Sequence, residues 1–298
     1  MHKSGFVNIV GRPNVGKSTL MNALVGERMS IITNKPQTTR HRIFGILNSA
    51  DFQIVFSDTP GFIRKPAYKM HEVMNTFVRS TFEDADVVLF VTEPGEVYEE
   101  NDPLLEKLKG IDVPVFLIIN KIDTSTQEKV ETLAAQWAQR IAFARVLPVS
   151  ALHKAGTEGL LQTLLDTLPE GPKYFPEDQL TDRTERFFAS EIIREKILLL
   201  YDQEVPYSCE VVIEDFKDTT TNKGEELARI SATIFAGRKT HKAILIGKEG
   251  EAIKRLGTEA RKELEDFLQR KVFLELHVKI RDNWRDDEQM LRRFGYQE

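Results

Sequence analysis

The sequence predicts an α/β domain with a doubly wound, mostly parallel sheet, followed by a smaller α+β domain. Short, nearly continuous apolar runs alternate with helix-period segments as far as Leu168, a pattern typical of buried parallel strands joined by helices. The alternation ends at Leu168-Pro169-Glu170-Gly171-Pro172, because proline and glycine end a helix and favour an exposed connector. At 298 residues, the chain is long enough for about two domains.

In the first domain, each apolar run is bounded by polar or glycine-containing segments. The predicted strands, in chain order, are Phe6–Val10, Phe52–Phe56, Val87–Val91, Val113–Ile119 and Val146–Val149. The predicted helices between and after them are Lys17–Val25, Asp102–Leu108, Thr126–Arg140 and Thr157–Leu168. Because parallel strands end at one edge of a sheet, motifs that follow these strands should meet at that edge.

The order of elements changes in the second half of the chain. We expect a helix over Glu185–Leu200, strands over Tyr207–Phe216 and Leu227–Phe235, and then helical and strand segments as far as Ile280. The predicted organisation is therefore a first domain at 1–171, a linker at 172–183 and a second domain with a C-terminal extension at 184–298.

Composition narrows the class of protein. The chain is 41% hydrophobic and 29% charged, with a net charge of -5, so any nucleic-acid surface must be local. Cys209 is the only cysteine, which excludes an intrachain disulfide and fits a reducing compartment. The N-terminal apolar segment is too short for a signal peptide, and no apolar run approaches the length of a membrane span. We therefore expect a cytoplasmic protein.

The first predicted strand leads into a phosphate-binding loop of the pattern G-x-x-x-x-G-K-S, formed by Gly11-Arg12-Pro13-Asn14-Val15-Gly16-Lys17-Ser18. Backbone amides of such a loop cradle phosphate oxygens, and the following helix contributes its dipole. Lys17 should neutralise the β- and γ-phosphates, and the Ser18 hydroxyl should bind Mg²⁺. The predicted nucleotide contacts in this region are Gly11, Asn14, Val15, Gly16, Lys17, Ser18 and Thr19.

The strand Phe52–Phe56 is followed by Asp58-Thr59-Pro60-Gly61. Asp58 there can hold Mg²⁺ through a water, and the Gly61 amide can meet the γ-phosphate, although the same string also forms an ordinary β-turn. A threonine between the two motifs can complete the magnesium shell when a γ-phosphate is present. Thr39 is preferred over Thr38 for that role, and a polar loop without a ligand is the alternative.

Asn120-Lys121-Ile122-Asp123 ends the strand Val113–Ile119. Asp123 can accept hydrogen bonds from two nitrogens of guanine, a match that adenine does not offer. Asn120 can contact the base and tie neighbouring loops, and the Lys121 stem can cover the ring. The tripeptide Ser150-Ala151-Leu152 supplies a backbone amide for the guanine oxygen. The alternative is that Asp123 only caps the next helix.

The second domain contains G-x-x-G between two helical segments, in Ile246-Gly247-Lys248-Glu249-Gly250. In a KH module, such glycines let the backbone approach phosphates, and bases of single-stranded RNA lie in an adjacent apolar groove. The stretch 236–271 has ten Lys or Arg and six Asp or Glu, a local excess of four positive charges, although Glu249 weakens phosphate attraction. The loop alone is a weak signal, and a charged run is often a solvated helix face. The predicted RNA contacts are Ile246, Gly247, Lys248, Gly250, Ile253 and Lys254.

The first domain resembles the P-loop GTPases related to translation factors. Asn14, the string Thr38-Thr39-Arg40 and the string Asp58-Thr59-Pro60-Gly61-Phe62 are similar to the branch of ribosome-assembly and tRNA-modifying GTPases. Better-known switch GTPases carry a glutamine where Phe62 stands. Phe62 cannot polarise water, so we expect hydrolysis to be slow without help. Relatives with an asparagine like Asn14 imply a potassium ion as a charge surrogate.

A P-loop GTPase domain followed by a type II KH domain resembles the Era family over nearly the whole chain. The segments Gly257-Thr258-Glu259-Ala260-Arg261-Lys262 and Trp284-Arg285-Asp286-Asp287 are also similar to that family. The resemblance implies GTP or GDP and Mg²⁺ as ligands and the residues Lys17, Thr39 and Gly61 as the catalytic set. It also implies binding to the 3′ end of 16S ribosomal RNA, assistance in 30S subunit assembly and peripheral association with the inner membrane. We expect a monomer.

Two other functions fit parts of the sequence. A GTP-dependent RNA-binding module that does not hydrolyse GTP would explain Phe62. A tRNA-modifying relative is disfavoured, because the KH-like domain stands where those relatives carry a helical insert. His153, His241 and Trp137 have no metal-ligand spacing and are expected to be surface or packing residues.

Overall fold

The computed structural model describes residues 2–221 and 223–296. The chain divides into two compact units, and the break along the chain lies between Asp182 and Arg183. Tyr68–Met70 are grouped with the second unit, and the other described residues before Arg183 form the first. The predicted domain bounds at Met1 and Glu298 lie outside the described residues.

The first unit is built on a mostly parallel sheet. Its strands are β1 (Lys3–Gly11), β2 (Ile43–Asn48), β3 (Phe52–Asp58), β4 (Val87–Thr92), β5 (Val115–Ile119) and β6 (Arg145–Pro148). They lie in the order β2-β3-β1-β4-β5-β6, and β2 is antiparallel to β3 while the other neighbours are parallel. Every residue of β4 and β5 is buried, as expected of strands covered on both faces.

The helices of this half of the chain are α1 (Lys17–Val25), α2 (Lys69–Ser80), α3 (Pro103–Lys109), α4 (Gln127–Ala138) and α5 (Thr157–Thr167). The structure confirms the predicted alternation, but the sequence pattern misses β2 and α2. Gly45 interrupts the apolar run of β2. The buried side of α2 consists of Met70, His71, Met74, Asn75 and Val78, so its apolar positions recur every four residues beside buried polar ones.

The register of the sheet brings the candidate motifs to one edge. Ile9 near the end of β1 pairs with Asp58 at the end of β3, and Gly11 pairs with Val91 of β4. Ile119 at the end of β5 pairs with Pro148 at the end of β6. The phosphate loop, the Asp58 turn and the Asn120 turn therefore leave the sheet side by side.

The segment between Gly171 and Arg183 is mostly exposed, and its backbone is nevertheless hydrogen-bonded to the first unit. Gln53 of β3 accepts hydrogen bonds from the backbone N–H groups of Tyr174 and Phe175 at 2.6 and 3.0 Å. The Leu180 carbonyl accepts from the N–H of Ile46 in β2 at 2.8 Å. The connector is therefore hydrogen-bonded along the β2–β3 side of the sheet and is not an unattached linker.

The second unit has helices on one face of a sheet. Its elements are α6 (Glu185–Leu200), β7 (Cys209–Thr220), β8 (Glu226–Ala236), α7 (Lys239–Ile246), α8 (Glu251–Leu268), β9 (Lys271–Ile280) and α9 (Glu288–Arg293). β8 lies between an antiparallel β7 and a parallel β9. Buried side chains from α6, α7 and α8 pack on the sheet, among them Ile193, Leu245 and Leu256. This is the predicted helix, strand, strand, helix, loop, helix, strand order.

The C-terminal segment packs its aromatic side chains against the second unit. Trp284 and Phe294 have ring centroids 5.3 Å apart, and Phe294 lies 5.1 Å from Phe235 at the end of β8. Trp284 donates a hydrogen bond from Nε1 to the Ser208 carbonyl at 3.0 Å. Among residues 2–221 and 223–296, no helix combines the length and the apolar content needed to cross a membrane.

Candidate nucleotide and nucleic-acid sites

Lys17 lies inside the phosphate loop at the first position of α1. Its Nζ donates to the carbonyls of Gly11 and Arg12 at 3.1 and 2.8 Å, and the side chain is buried. Burial lowers the pKa of Lys17 to about 8, and the nearby carboxylates of Asp58 and Glu96 only partly oppose this shift. The loop thus holds a cation whose charge is poorly solvated and would gain from an anionic ligand.

Three oxygen-bearing side chains meet beside Lys17. The Ser18 hydroxyl donates to Asp58 Oδ2 at 2.6 Å, and the hydroxyls of Ser18 and Thr39 lie 2.9 Å apart. Thr39 Oγ1 also lies 3.3 Å from Asp58 Oδ2. The chain contributes these groups from the start of α1, the segment before β2 and the end of β3. Sequence positions 18, 39 and 58 thus converge on one point.

This oxygen cluster fits a magnesium ion. Asp58 is completely buried, and burial raises the pKa of its carboxyl against the lowering effects of Ser18 and Lys17. Within the described part of the chain, Asp58 Oδ1 accepts no hydrogen bond although it is buried. Mg²⁺ prefers oxygen ligands, commonly one carboxylate with hydroxyl groups, waters and substrate phosphates. A cation at this point would satisfy both the buried carboxylate and its free oxygen.

The choice between Thr38 and Thr39 depends on the backbone of the segment before β2. Thr38 Oγ1 is 2.6 Å from the Thr33 hydroxyl and donates to the Lys35 carbonyl at 2.6 Å, so it bonds within its own segment. Thr39 faces Ser18 and Asp58. The geometry is therefore the one expected for Thr39 as the ligand-bearing residue.

A cavity of about 280 Å³ opens above the oxygen cluster. Its walls come from the phosphate loop, the segment before β2, the Asp58 turn and the Asn120 turn. The lining residues are Pro13, Asn14, Gly16, Lys17, Ser18, Thr19, Ile31, Ile32, Thr33, Asn34, Gln37, Thr38, Thr39, Thr59, Gly61 and Lys121. The residues at 31–34 were not singled out by the sequence, because nothing in their types points to a ligand.

Gly61 approaches the phosphate loop closely. A Cβ atom at this position would lie 2.6 Å from the backbone N of Pro13, which no side chain can do without displacing the loop. Phe62, the next residue, packs against the core cluster that contains Phe90 and Trp137. Gly61 lines the cavity, whereas the half-buried Phe62 ring packs against the core.

Asn120 links two loops of the predicted base site. Its Nδ2 donates to the Val15 carbonyl of the phosphate loop at 2.9 Å, and its Oδ1 accepts from the Ala151 N–H at 3.0 Å. The side chain is 2% exposed, so both bonds are shielded from water. The predicted tying of neighbouring loops by Asn120 is present in the structure.

Asp123 and Lys121 lie at the open end of the site. The Ser150 hydroxyl donates to Asp123, and this bond is the main reason that the pKa of Asp123 is below its usual value. Lys121 has a φ of 59°, donates from Nζ to the Asn14 carbonyl at 2.6 Å and forms an ion pair with Glu93. Leu152 is 73% exposed. The structure thus brings Asn120, Lys121, Asp123 and the Ser150–Leu152 loop together on one rim.

An ionic cluster beside the phosphate loop was not predicted. Asp102 caps α3 by accepting from the Leu104 N–H at 3.0 Å, and its second oxygen lies 2.8 Å from Arg12 and 3.2 Å from Arg64. The Arg12 guanidinium also stacks on Tyr98, with 3.8 Å between them. Asp102 is 1% exposed. One buried carboxylate thus joins the phosphate loop to the turn that follows Gly61.

In the second unit, the G-x-x-G loop connects α7 to α8. Gly247 has a φ of 74°, and a Cβ there would lie 2.6 Å from Ala252 Cβ, so the tight turn requires glycine. Lys248 and Lys254 are exposed, whereas Ile246 and Ile253 are half-buried. Ile253 packs against the core of the unit. The loop and the first turn of α8 therefore present one lysine each beside an apolar flank, as a phosphate- and base-binding groove requires.

Comparison with known proteins identifies both units. Residues 6–121 match the family of 50S ribosome-binding GTPases, and residues 204–285 match the KH domain family. The GTPase Era of Syntrophus aciditrophicus (strain SB) is 48% identical over 299 residues, covering 100% of this chain and 96% of the relative. The GTPase Era of Alkaliphilus metalliredigens (strain QYMF) is 44% identical, with 99% of each chain covered. The chain belongs to the GTPase Era family.

Two solved Era structures are similar along the whole chain. A variant of Aquifex aeolicus Era bound to GDP·AlF4⁻ matches with a TM-score of 0.93 and 38% identity, covering 99% of this chain and 100% of that one. Era in complex with MgGDPNP and nucleotides 1506–1542 of 16S ribosomal RNA matches with a TM-score of 0.94 and 38% identity, covering all of both chains. The predicted fold, a P-loop GTPase domain followed by a KH domain, is confirmed. As an Era GTPase, the protein hydrolyses GTP to GDP and phosphate.

Proposed function

We propose that this Era GTPase is a switch that binds the 3′ end of small-subunit ribosomal RNA in its GTP state and assists assembly of the 30S subunit. The observation that carries the switch is the meeting of Ser18, Thr39 and Asp58 beside Lys17. The complex of a similar Era with MgGDPNP and 16S nucleotides 1506–1542 supports the RNA part.

The phosphate side of the site uses the buried cation and the oxygen cluster. Lys17 binds the β- and γ-phosphates, helped by the backbone of Gly11, Gly16 and Thr19. Ser18, Thr39 and Asp58 hold Mg²⁺, which supplies neutralisation of the phosphate charge when bound. Because Thr39 belongs to the segment before β2, the γ-phosphate determines whether that segment stays next to Ser18.

The base side of the site selects guanine. Asp123 accepts from the guanine nitrogens, with Ser150 holding the carboxylate in its ionised form. Asn120 keeps the phosphate loop and the Ser150–Leu152 loop at a fixed separation, so that a backbone amide of that loop can meet the guanine oxygen. The aliphatic part of Lys121 covers one face of the base.

Hydrolysis depends on backbone positioning and charge. The Gly61 amide and the Lys17 ammonium hold the γ-phosphate, and the Thr39 hydroxyl helps hold the ion beside it. The half-buried Phe62 ring packs against the core and has no group that can orient water. Unstimulated turnover should therefore be slow, with acceleration supplied by a cation or by a bound partner.

A potassium ion beside Asn14 is the cation we propose. Asn14 Nδ2 donates a hydrogen bond to the Asn34 carbonyl at 3.1 Å, which holds the Asn14 side chain, with its neutral amide oxygen, beside the phosphate loop. Asn14→Ala should remove the advantage of potassium over sodium in GTP turnover while leaving GDP affinity within about twofold. Equal turnover by the unchanged protein in matched sodium and potassium buffers would contradict this role.

RNA binding uses the loop between α7 and α8. The backbone of Gly247 and Gly250, with Lys248 and Lys254, meets phosphates of a single strand. Ile246 and Ile253 form the apolar floor on which its bases lie. We further propose that the protein is a cytoplasmic monomer that associates peripherally with the inner membrane, as the family resemblance implies.

The decisive experiment measures GTP turnover with and without a single-stranded oligonucleotide that copies the 3′ end of small-subunit ribosomal RNA. We expect turnover to rise when this RNA is bound. An oligonucleotide of the same length and scrambled sequence is the control. Equal turnover with the RNA demonstrably bound would mean two independent sites, and no binding at all would remove the RNA function and leave the GTPase.

A further inference from the structure

The start of α7, at the opposite end of the helix from the G-x-x-G loop, forms a small pocket in the second unit. Ser208, Arg238, His241 and Arg285 line it. α7 spans eight residues, Lys239–Ile246, so the pocket lies about 12 Å along the helix from Gly247. The first intrahelical hydrogen bond runs from the Lys242 N–H to the Arg238 carbonyl, which leaves the N–H groups of the first turn facing outward from the helix end.

Two buried polar groups in this pocket lack partners. Ser208 is 1% exposed and His241 is 9% exposed. Among the residues that the structure describes, Ser208 Oγ and His241 Nδ1 have no hydrogen-bond partner. Burying a hydroxyl or an imidazole nitrogen without a partner costs about 1–3 kcal/mol, so such an atom favours a partner from outside the chain, such as a water, an ion or a ligand.

The surrounding structure holds Ser208 in place. Its carbonyl accepts from Trp284 Nε1 at 3.0 Å and from the Gly237 N–H at 3.1 Å. These two bonds fix the backbone of Ser208, which lines the pocket and whose hydroxyl has no partner among the described residues. Within this part of the chain, the Ser208 hydroxyl therefore lacks a partner although its backbone is held by two hydrogen bonds.

The charge of the pocket is positive. Its two guanidinium groups belong to Arg238, which is exposed, and Arg285, which is half-buried. Asp286 is the one carboxylate among the pocket residues that the structure describes, so the formal charges of these three side chains sum to +1. The pKa of His241 is lowered, first by burial and then by Arg238 and Arg285, so the imidazole is neutral near pH 7 and can donate through one nitrogen. Helix dipole, two guanidinium groups and two neutral donors together suit an oxyanion.

We infer that Ser208, Arg238, His241 and Arg285 form a second phosphate-binding site that takes a backbone phosphate of the RNA, separate from the phosphates at the G-x-x-G loop. The inference rests on the proposed RNA function for the source of the phosphate, but not for the site itself. Two contacts about 12 Å apart along α7 would fix the direction of the strand as well as its position.

The first test probes the site with inorganic phosphate. The protein with both units, saturated with GDP and Mg²⁺ to fill the nucleotide site, is titrated with phosphate while the imidazole nitrogens of His241 are followed by NMR. Chloride at matched ionic strength is the control, and His241→Gln assigns the signal. We expect a saturable shift of the His241 signal that is absent in Arg238→Gln. No shift with tens of millimolar phosphate would overturn the site.

The second test asks whether the phosphate comes from RNA. Affinity for the 3′-end oligonucleotide is measured at several salt concentrations for Arg238→Gln and Arg285→Gln. Arg261→Gln is the matched control, since it removes one exposed guanidinium from α8 of the same unit. We expect each pocket variant to bind about three- to tenfold more weakly and to reduce the salt slope by about 0.7 for each phosphate that is no longer neutralised. The control should match the unchanged protein.

The outcomes separate the two proposals. A His241 shift with unchanged RNA affinity in both pocket variants would support the anion site but overturn RNA as its source, leaving free phosphate. Unchanged RNA affinity together with no His241 shift would overturn the inference entirely. If the unchanged protein binds no RNA, the proposed function fails, and the phosphate titration alone decides the site.

Discussion

At the scale of single residues, Lys17 holds a buried positive charge that its surroundings solvate poorly. Its ammonium is buried, and two carbonyl contacts and the nearby Asp58 do not fully replace the water removed by burial. Phosphate oxygens would supply what the loop lacks. The cost of burying Lys17 in the nucleotide-free protein is therefore recovered when nucleotide binds.

The lowered pKa of buried Lys17 predicts that nucleotide affinity depends on pH. The pKa of Lys17 in the free protein is about 8. A bound phosphate favours the charged form and raises that pKa, so binding takes up a proton above pH 8. GDP affinity should therefore be nearly constant from pH 7 to 8 and then fall, by at most about tenfold per pH unit.

The measurement is GDP affinity by calorimetry between pH 7 and pH 9. Lys17→Arg is the control, because a guanidinium stays protonated throughout this range. The variant should bind more weakly at pH 7 and show no additional loss above pH 8. An equal fall in both proteins would assign the pH dependence to the nucleotide or another group.

The roles of site residues could be predicted from the sequence where a short motif follows a strand. They could not be predicted as well where the role depends on backbone that is far away in the sequence. Ser18, Asp58, Asn120 and Asp123 follow apolar strands, so their order in the chain indicates their roles. Thr39 could only be preferred over Thr38, because the choice depends on which hydroxyl the loop turns toward Ser18. His241 gave no signal, since its environment comes from Ser208 and Arg285, far away in sequence.

At the scale of elements, α3 is linked to the phosphate loop through its N-cap. Asp102 binds the α3 backbone with one oxygen and holds Arg12 and Arg64 with the other. Asp102→Asn keeps a good capping residue but removes the charge that both arginines share. We expect the free energy of unfolding of the GTPase domain to fall by about 2 kcal/mol.

Urea unfolding followed by Trp137 fluorescence measures this loss. Trp137 is buried in the GTPase domain core, and a Trp284→Phe background removes the other tryptophan signal. Glu106→Gln is the control, because it breaks an exposed pair with Lys109 on the same helix and should cost less than about 0.5 kcal/mol. Losses of equal size in the two variants would show that Asp102 acts only as a surface charge.

Elements were predictable when their periodicity was uninterrupted. β4 and β5 are continuous apolar runs and lie where the sequence predicts them. β2 was missed because Gly45 sits at its centre, where a Cβ would come within 2.9 Å of Val25. α2 was missed because only three of its buried positions, Met70, Met74 and Val78, are apolar, whereas His71 and Asn75 are buried and polar.

At the scale of the whole molecule, one chain carries a nucleotide site and an RNA site, and their coupling is a thermodynamic quantity. If the GTP state binds RNA more tightly by some factor, RNA must tighten GTP binding by the same factor at equilibrium. A coupling of five- to 150-fold corresponds to a free energy of about 1–3 kcal/mol. Ordering of the segment that contains Thr39 can supply a free energy of this size.

The linkage prediction is tested with a GTP analogue that is not hydrolysed. Its affinity is measured with and without saturating 3′-end oligonucleotide, and RNA affinity is measured with the analogue and with GDP. We expect equal factors in the two directions for the unchanged protein. Thr39→Ala should reduce both factors together, because the γ-phosphate then no longer holds the segment before β2. Thr38→Ala is the control and should leave both factors nearly unchanged, because the Thr38 hydroxyl bonds to Thr33 and Lys35 of its own segment. Equal RNA affinity with the analogue and with GDP would contradict the coupling, and hydrolysis would then control a step other than RNA binding.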